Sequence, residues 1–303
     1  MSNINSEVFK LLKNILKKNK FIFYICKTIK NYFLSKWIRY SQKRTIQNKL
    51  YFRKKIDEKF LYYGFQLNPK RKIEMESLLK NQINSFKNNK TKGNFMFLEI
   101  GSFLGESIEL FGNILNNSEI DFTIISIDPY TKYNSEKDEQ KAEMYSEINA
   151  SIENNYLYFL NNISLTPWRE NFIHIRQPSE NGLNMLKNLN LEFDFIYIDG
   201  NHQYKYIKSD YELSKLIIKN SSKYKGIISG DDFELSISQH SEIGLSKVEM
   251  TELLQKSKDV DFIGFREFKK GFHPGVTLHF SEINDDIIKT ESGFWYLNNL
   301  RGT

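Results

Sequence analysis

F-M-F-L-E-I-G-S-F-L-G-E-S-I-E-L-F-G, residues 95 to 112, decides the fold of this 303-residue chain together with F-T-I-I-S-I-D, residues 122 to 128. The first stretch reads as a buried strand that ends in Glu99, turns on glycine and enters a helix. The second reads as another buried strand, closed by Asp128. Gly101 and Gly105 let the backbone bend sharply and come close to a ligand, with no side chain in the way. The helix that follows points its N-terminus at that ligand. Asp128 stands where the first βαβ unit of a nucleotide-binding α/β fold carries its ribose-binding carboxylate.

The spacing narrows the ligand. A dinucleotide fingerprint needs G-x-G-x-x-G so that backbone can touch a pyrophosphate. Here an acid precedes the first glycine by two residues, and Glu99 would repel a phosphate but suit a cation. S-adenosylmethionine carries a sulfonium, an ammonium and no phosphate, so the stretch looks like the first motif of class I methyltransferases. Asp128 would then accept hydrogen bonds from the ribose hydroxyls.

Two further apolar runs end in acids: F-D-F-I-Y-I-D-G-N-H-Q-Y at 193 to 204, and G-I-I-S-G-D-D-F at 226 to 233. Each has the form of a fully buried parallel strand whose carboxyl end opens into a site. If the two strands are neighbours, Asp199 converges with Asp231 and Asp232. Three carboxylates so close repel one another unless a cation neutralises them. All-oxygen ligation suits a hard divalent ion, Mg²⁺ first. Asp-Gly and Gly-Asp-Asp also occur as plain turn residues, so the pairing of the two segments matters more than either alone. His202, three residues after Asp199, suits a general base beside a metal-bound hydroxyl. His174, inside N-F-I-H-I-R, reads as structural, His240 is a weak candidate for touching substrate, and His273 and His279 have no motif around them.

From about Phe95 to Phe233 the chain resembles the metal-dependent sugar O-methyltransferases of the methyltransferase 24 type. The shared residues are E-I-G-S-F-L-G-E-S, I-D-P, I-D-G-N-H-Q-Y and G-D-D-F. The resemblance implies cofactor contacts from Glu99, Gly101, Ser102, Gly105, Ser107, Asp128 and Ser179, the last against adenine. It implies metal ligation by Asp199, Asp231 and Asp232, with vicinal sugar hydroxyls on the metal. It implies His202 as the base, since members lacking that histidine carry an acid where this chain has Asn201. The expected fold is a Rossmann-like class I methyltransferase domain over residues 93–303, with parallel strands and an antiparallel C-terminal edge, preceded by a basic helical arm over residues 1–92. The expected activity is metal-assisted methyl transfer from S-adenosylmethionine to a hydroxyl of a sugar, a bacterial surface polysaccharide or a glycosylated metabolite. The rivals are methylation of a catechol-like aromatic diol and, from another class, nucleic-acid binding through the basic arm.

Charge separates the arm from the rest. The net charge is +6, yet residues 1 to 56 hold fifteen Lys or Arg against one acid, Glu7, leaving 28 basic and 36 acidic residues elsewhere. An acidic catalytic domain argues against a nucleic-acid channel across its face. The arm carries Phe9, Leu12, Ile15, Leu16, then Phe23, Cys26, Ile29, Phe33 and Trp37, at helical spacing among lysines. A basic amphipathic stripe of this kind over residues 7–40 can lie on an anionic membrane, or pack on its own domain or on a second copy of the chain. A single cysteine, Cys26, excludes an internal disulfide and a cysteine metal cluster, and fits the cytoplasm or the inner face of the membrane. No apolar run reaches the roughly 18 residues of a membrane span, and no leader is evident. Acid-rich residues 130–145 leave the second strand at the ligand end and read as a lid or a solvated helix. Past Asp232, L-S-K-V-E-M-T-E-L-L-Q-K reads as a helix. D-F-I-G-F-R-E-F, G-V-T-L-H-F and G-F-W-Y-L read as closing strands.

Overall fold

The computed structural model describes residues 59–62, 67–89, 93–131 and 152–298. The basic stripe of the arm and nearly all of the acid-rich stretch lie outside them. Among the described residues, no helix is long and apolar enough to cross a membrane.

In chain order the elements are α1 (Pro69–Asn88), β1 (Phe95–Ile100), α2 (Glu106–Asn116), β2 (Phe122–Ile127), α3 (Ile152–Leu165), β3 (Phe172–Ile175), α4 (Ser179–Asn188), β4 (Phe195–Ile198), α5 (Tyr204–Lys215) and β5 (Ile227–Gly230). They continue with α6 (Lys247–Ser257), β6 (Ile263–Phe265), β7 (Lys270–Phe272), α7 (Pro274–Glu282), β8 (Ile287–Lys289) and β9 (Trp295–Leu297). Seven strands form one sheet in the order β3-β2-β1-β4-β5-β9-β8. The first five are mutually parallel, and β9 runs antiparallel to both β5 and β8. This is the Rossmann-like methyltransferase sheet with its antiparallel C-terminal edge that the sequence predicts. The order reverses between β1 and β4, and a doubly wound sheet places its ligand crevice at the carboxyl ends of the strands on either side of such a reversal.

Continuous apolar runs become the central strands because both faces of the sheet are covered. Every residue of β2, β3 and β4 is buried. Phe97, Phe111 and Phe195 form an aromatic cluster between sheet and α2, with ring centroids 4.8–5.7 Å apart. A smaller core of Leu235, Ile243, Met250, Leu254, Phe272 and Leu278 lies under the C-terminal segment. It holds α6, α7 and the separate β6–β7 hairpin together.

Two sequence readings change here. G-V-T-L-H-F, expected as a strand, lies within α7, where Pro274 opens the helix and everything from Pro274 to Phe280 is buried. A short run that is buried all round has no amphipathic period, so pattern alone cannot separate strand from helix. β6 pairs only with β7, outside the main sheet. The strand beside β9 is instead Ile287–Lys289, which the sequence reading passed over.

Candidate active site

Glycine geometry builds the first half of the site. Gly101 has φ +84°, and a Cβ there would lie 1.9 Å from the carbonyl oxygen of Asp199. The turn after β1 therefore presses directly on the end of β4, and only glycine fits. Asp128, at the end of β2, secures the same turn. Its Oδ2 accepts the backbone N–H groups of Ser102 and Phe103 at 2.9 and 3.2 Å, and its Oδ1 accepts that of Tyr130 at 2.8 Å. Burial pushes the Asp128 carboxyl above its ordinary value, against these three bonds.

Glu99 is fully buried, and Ser107 at the start of α2 donates to its Oε1. Burial raises its proton affinity well above the usual carboxylate range. Its Oε2 and the hydroxyl of Ser102, both buried at the turn, have no hydrogen-bond partner. Unpaired buried polar atoms are costly, and two beside a glycine turn fit a polar ligand seated there. Glu99, Gly101, Ser102, Gly105, Ser107 and Asp128 are thus brought together. Ser179 opens α4, in the segment that follows β3.

Asp128→Ala removes an ionisable acceptor and unlatches the turn. Affinity for S-adenosylmethionine or its demethylated product is expected to fall by about 1.5–3 kcal/mol, roughly 10- to 150-fold. Titration calorimetry checks this, and equal affinity in both proteins removes Asp128 from the site.

Register builds the second half. Ile198 of β4 pairs with Gly230 of β5, so Asp199 and Asp231 leave the sheet side by side. The Asp-Asp pair then diverges. Asp232 takes a left-handed backbone, φ +64°, a conformation that non-glycine residues keep mainly at functional or tightly held positions. Its Oδ2 lies 3.0 Å from His202 Nε2 and 3.8 Å from His273 Nε2. Asp199 Oδ1 lies 3.6 Å from the same His202 nitrogen. Asp199, His202 and Asp232 can therefore each offer one metal ligand, all within 4.8 Å of one another.

Asp231 is placed differently from its expected role as a third ligand. Its Oδ2 accepts from Arg71 of α1 and, at 3.2 Å, from the Tyr197 hydroxyl. Its Oδ1 accepts the N–H of Asp232 at 2.7 Å. It belongs to none of the candidate metal groups. Arg71 stays charged because Asp231 and Asp232 outweigh the cost of its burial, and its Nη2 also donates to the Ser292 carbonyl at 2.6 Å. Asp231→Ala should therefore act chiefly on stability, costing about 1–3 kcal/mol. That is below the full penalty of an orphaned buried charge, because Asp232 remains 3.6 Å from Arg71. Denaturant unfolding measures it, and an unchanged midpoint contradicts it.

The electrostatics are those of a carboxylate cluster balanced by cations. Burial alone would lower the His202 pKa, but Asp232, Asp199 and Asp261 hold the proton on the ring and raise it well above normal. Burial alone would raise Asp232, yet His273, His202 and Arg71 hold it below its usual value. Asp231 goes the other way, pushed up by burial and by the Asp232 charge. His202 Nε2 lies near two carboxylates but is aligned with neither as a hydrogen bond, an orphan atom that fits a cluster shaped for a cation.

The site also contains residues without a sequence motif: Arg71, Glu234, Asp261 and His273. His273 Nδ1 lies 3.0 Å from Glu234 Oε1, and its ring centre is 4.6 Å from that of His202. His174 is structural as read: it is buried, its Nδ1 is 2.8 Å from Ser126 Oγ, and burial lowers its pKa to about 3. His240 faces the Leu245 carbonyl at 2.7 Å and closes its own loop.

No curated protein sequence matches the chain. Among solved structures, an O-methyltransferase from Bacillus cereus with bound SAH is 13% identical, covering 77% of this chain and 81% of its own, with a TM-score of 0.42. The O-methyltransferase NovP is 13% identical over 75% of this chain and 79% of its own, TM-score 0.45. A calicheamicin methyltransferase is 12% identical over 76% and 80%, TM-score 0.40. At such values these likenesses add nothing to the strand order already described. The family model of the methyltransferase 24 type, a methyltransferase domain, matches residues 98–233, which span both halves of the site. Residues 98–233 match that family, and the chain carries a methyltransferase domain there.

Proposed function

We propose that the protein moves the methyl group of S-adenosylmethionine to a hydroxyl of a sugar or glycan, with a divalent cation held by Asp199 and Asp232. One observation carries this reading: the donor atoms of Asp199, His202 and Asp232 lie within 4.8 Å of one another, beside the glycine turn. A divalent cation there would neutralise the two carboxylates, grip adjacent hydroxyls and make the reacting one more acidic. Mg²⁺ suits the carboxylates, and a nearby imidazole would also suit a softer ion such as Mn²⁺.

The chain's own residues do the rest. Asp128 and the turn from Gly101 to Gly105 seat the nucleoside. Glu99 Oε2, buried and unpartnered, receives the cationic end of the cofactor. His202 Nε2 takes the hydroxyl proton as the oxygen attacks in line, so that the O–CH₃ bond forms and the S–CH₃ bond breaks. The methyl donor is already activated, so positioning and charge neutralisation supply most of the acceleration.

A vicinal aromatic diol would bind the same way. The discriminating experiment offers labelled methyl donor with nucleotide sugars, glycans and catechols in parallel. Label in the sugar pool supports the proposal, and label confined to catechols replaces it with the aromatic reading.

A further inference from the structure

His202 is held through its Nδ1, the nitrogen that faces away from Asp199 and Asp232. Its Nδ1 lies 3.2 Å from Oδ1 of Asp261, a carboxylate only 4% exposed. Asp261 stands in the loop between α6 and β6, outside the segment that matches the family model. The same short loop is tied to the His202 loop twice more. The Tyr204 N–H donates to the Lys258 carbonyl at 2.9 Å, and Gln203 Nε2 donates to the Asp259 carbonyl at 2.7 Å. From the other side α7 packs on the same backbone. A Cβ at Gly275 would sit 2.3 Å from the carbonyl oxygen of His202. Residues 202–204 are thus clamped between α7 and residues 258–261.

We propose that Asp261 is the positioning residue for His202: its carboxylate accepts a hydrogen bond from the Nδ1–H group, fixes the ring and its tautomer, and leaves Nε2 aimed at the acceptor hydroxyl between Asp199 and Asp232. The proposal rests on His202 being the base. An imidazole with one nitrogen donating to a buried carboxylate presents a lone pair on the other. The proton balance is simple. The hydroxyl proton moves to Nε2 as the oxygen attacks the methyl group, the imidazolium is stabilised by the Asp261 charge, and Nε2 returns its proton to solvent after product leaves. Asp261 itself takes no proton. His273, whose Nε2 lies 3.8 Å from Asp261 Oδ2, flanks the pair without replacing either bond.

The test compares Asp261→Asn, His202→Ala and the double variant in the full-length, metal-loaded enzyme. Asp261→Asn is expected to lower kcat by about 10²-fold, with KM for donor and acceptor changed less than about threefold. The double variant is expected to be no slower than His202→Ala alone, because the two residues act as one unit. A wild-type kcat in Asp261→Asn, or losses that multiply in the double variant, overturns the proposal. A wild-type kcat in His202→Ala overturns the base assignment and this inference with it, and that single variant identifies which has failed. Should Asp261→Asn not fold, nitrogen NMR of the imidazoles in the metal-loaded wild type, at a pH above the His202 titration, decides. A His202 ring protonated at Nδ1 and free at Nε2 is expected, and the opposite tautomer overturns the proposal.

Discussion

Asp232→Asn is expected to abolish methyl transfer while leaving the fold intact. The side chain stands at the centre of the site, 3.0 Å from His202 Nε2 and near Asp199 across the same nitrogen. Losing one of two carboxylates that would hold the cation forfeits several kcal/mol of charge stabilisation, and at 1.36 kcal/mol per factor of ten this is about 10³-fold or more. Three mutually repelling carboxylates, taken alone, would make the metal-free variant more stable than wild type. The surroundings reverse that sign, because Asp232 is flanked by His202, His273 and Arg71, which hold its pKa down. A carboxylate depressed in the folded state contributes stability above its unfolded pKa of about 4, lost as pH falls through the folded value. At neutral pH the metal-free variant should therefore melt lower, and the gap should close in acid. A rate within tenfold of wild type removes Asp232 from the metal site.

His202→Ala is the second large effect. A positioned proton acceptor contributes about 10²–10⁴-fold, so kcat should fall by that amount with donor affinity little changed. Two of the three carboxylates that hold a proton on His202, Asp199 and Asp232, are the ones a cation would neutralise, so the metal-loaded ring is the one better able to accept a proton. The rate should rise with pH along a limb that disappears in the variant. His202 also falls in a three-residue group that could ligate the ion directly. That competing role has a different signature: the variant would lose metal affinity, and added metal would recover part of its rate. Metal titrations of both proteins separate base from ligand.

Much of this site could be read in the sequence, for a physical reason. Strands of a parallel sheet are buried on both faces, so their ends are marked sharply by the first acid or glycine, as at Glu99, Asp128, Asp199 and Asp231. What could not be read came from chain distant in sequence. Arg71 reaches Asp231 across 160 residues, and Asp261 reaches His202 across 59. Neither sits in a motif, and only the packing of α1 against the sheet and of the C-terminal core against the His202 loop brings them in. α7 was misread because its buried run has no exposed face to set a period. Nor does the sequence show that Asp231 faces Arg71 while Asp232 faces His202, a divergence that accompanies the left-handed turn at Asp232.

The cation proposed at Asp199 and Asp232 is tested most directly by turnover of the wild-type chain with labelled donor and a sugar acceptor, in excess EDTA and again after stoichiometric addition of Mg²⁺ or Mn²⁺. The account predicts no O-methylated product in EDTA and full recovery on adding the metal. Undiminished O-methylation in EDTA would contradict it, and would leave His202 to activate the hydroxyl alone.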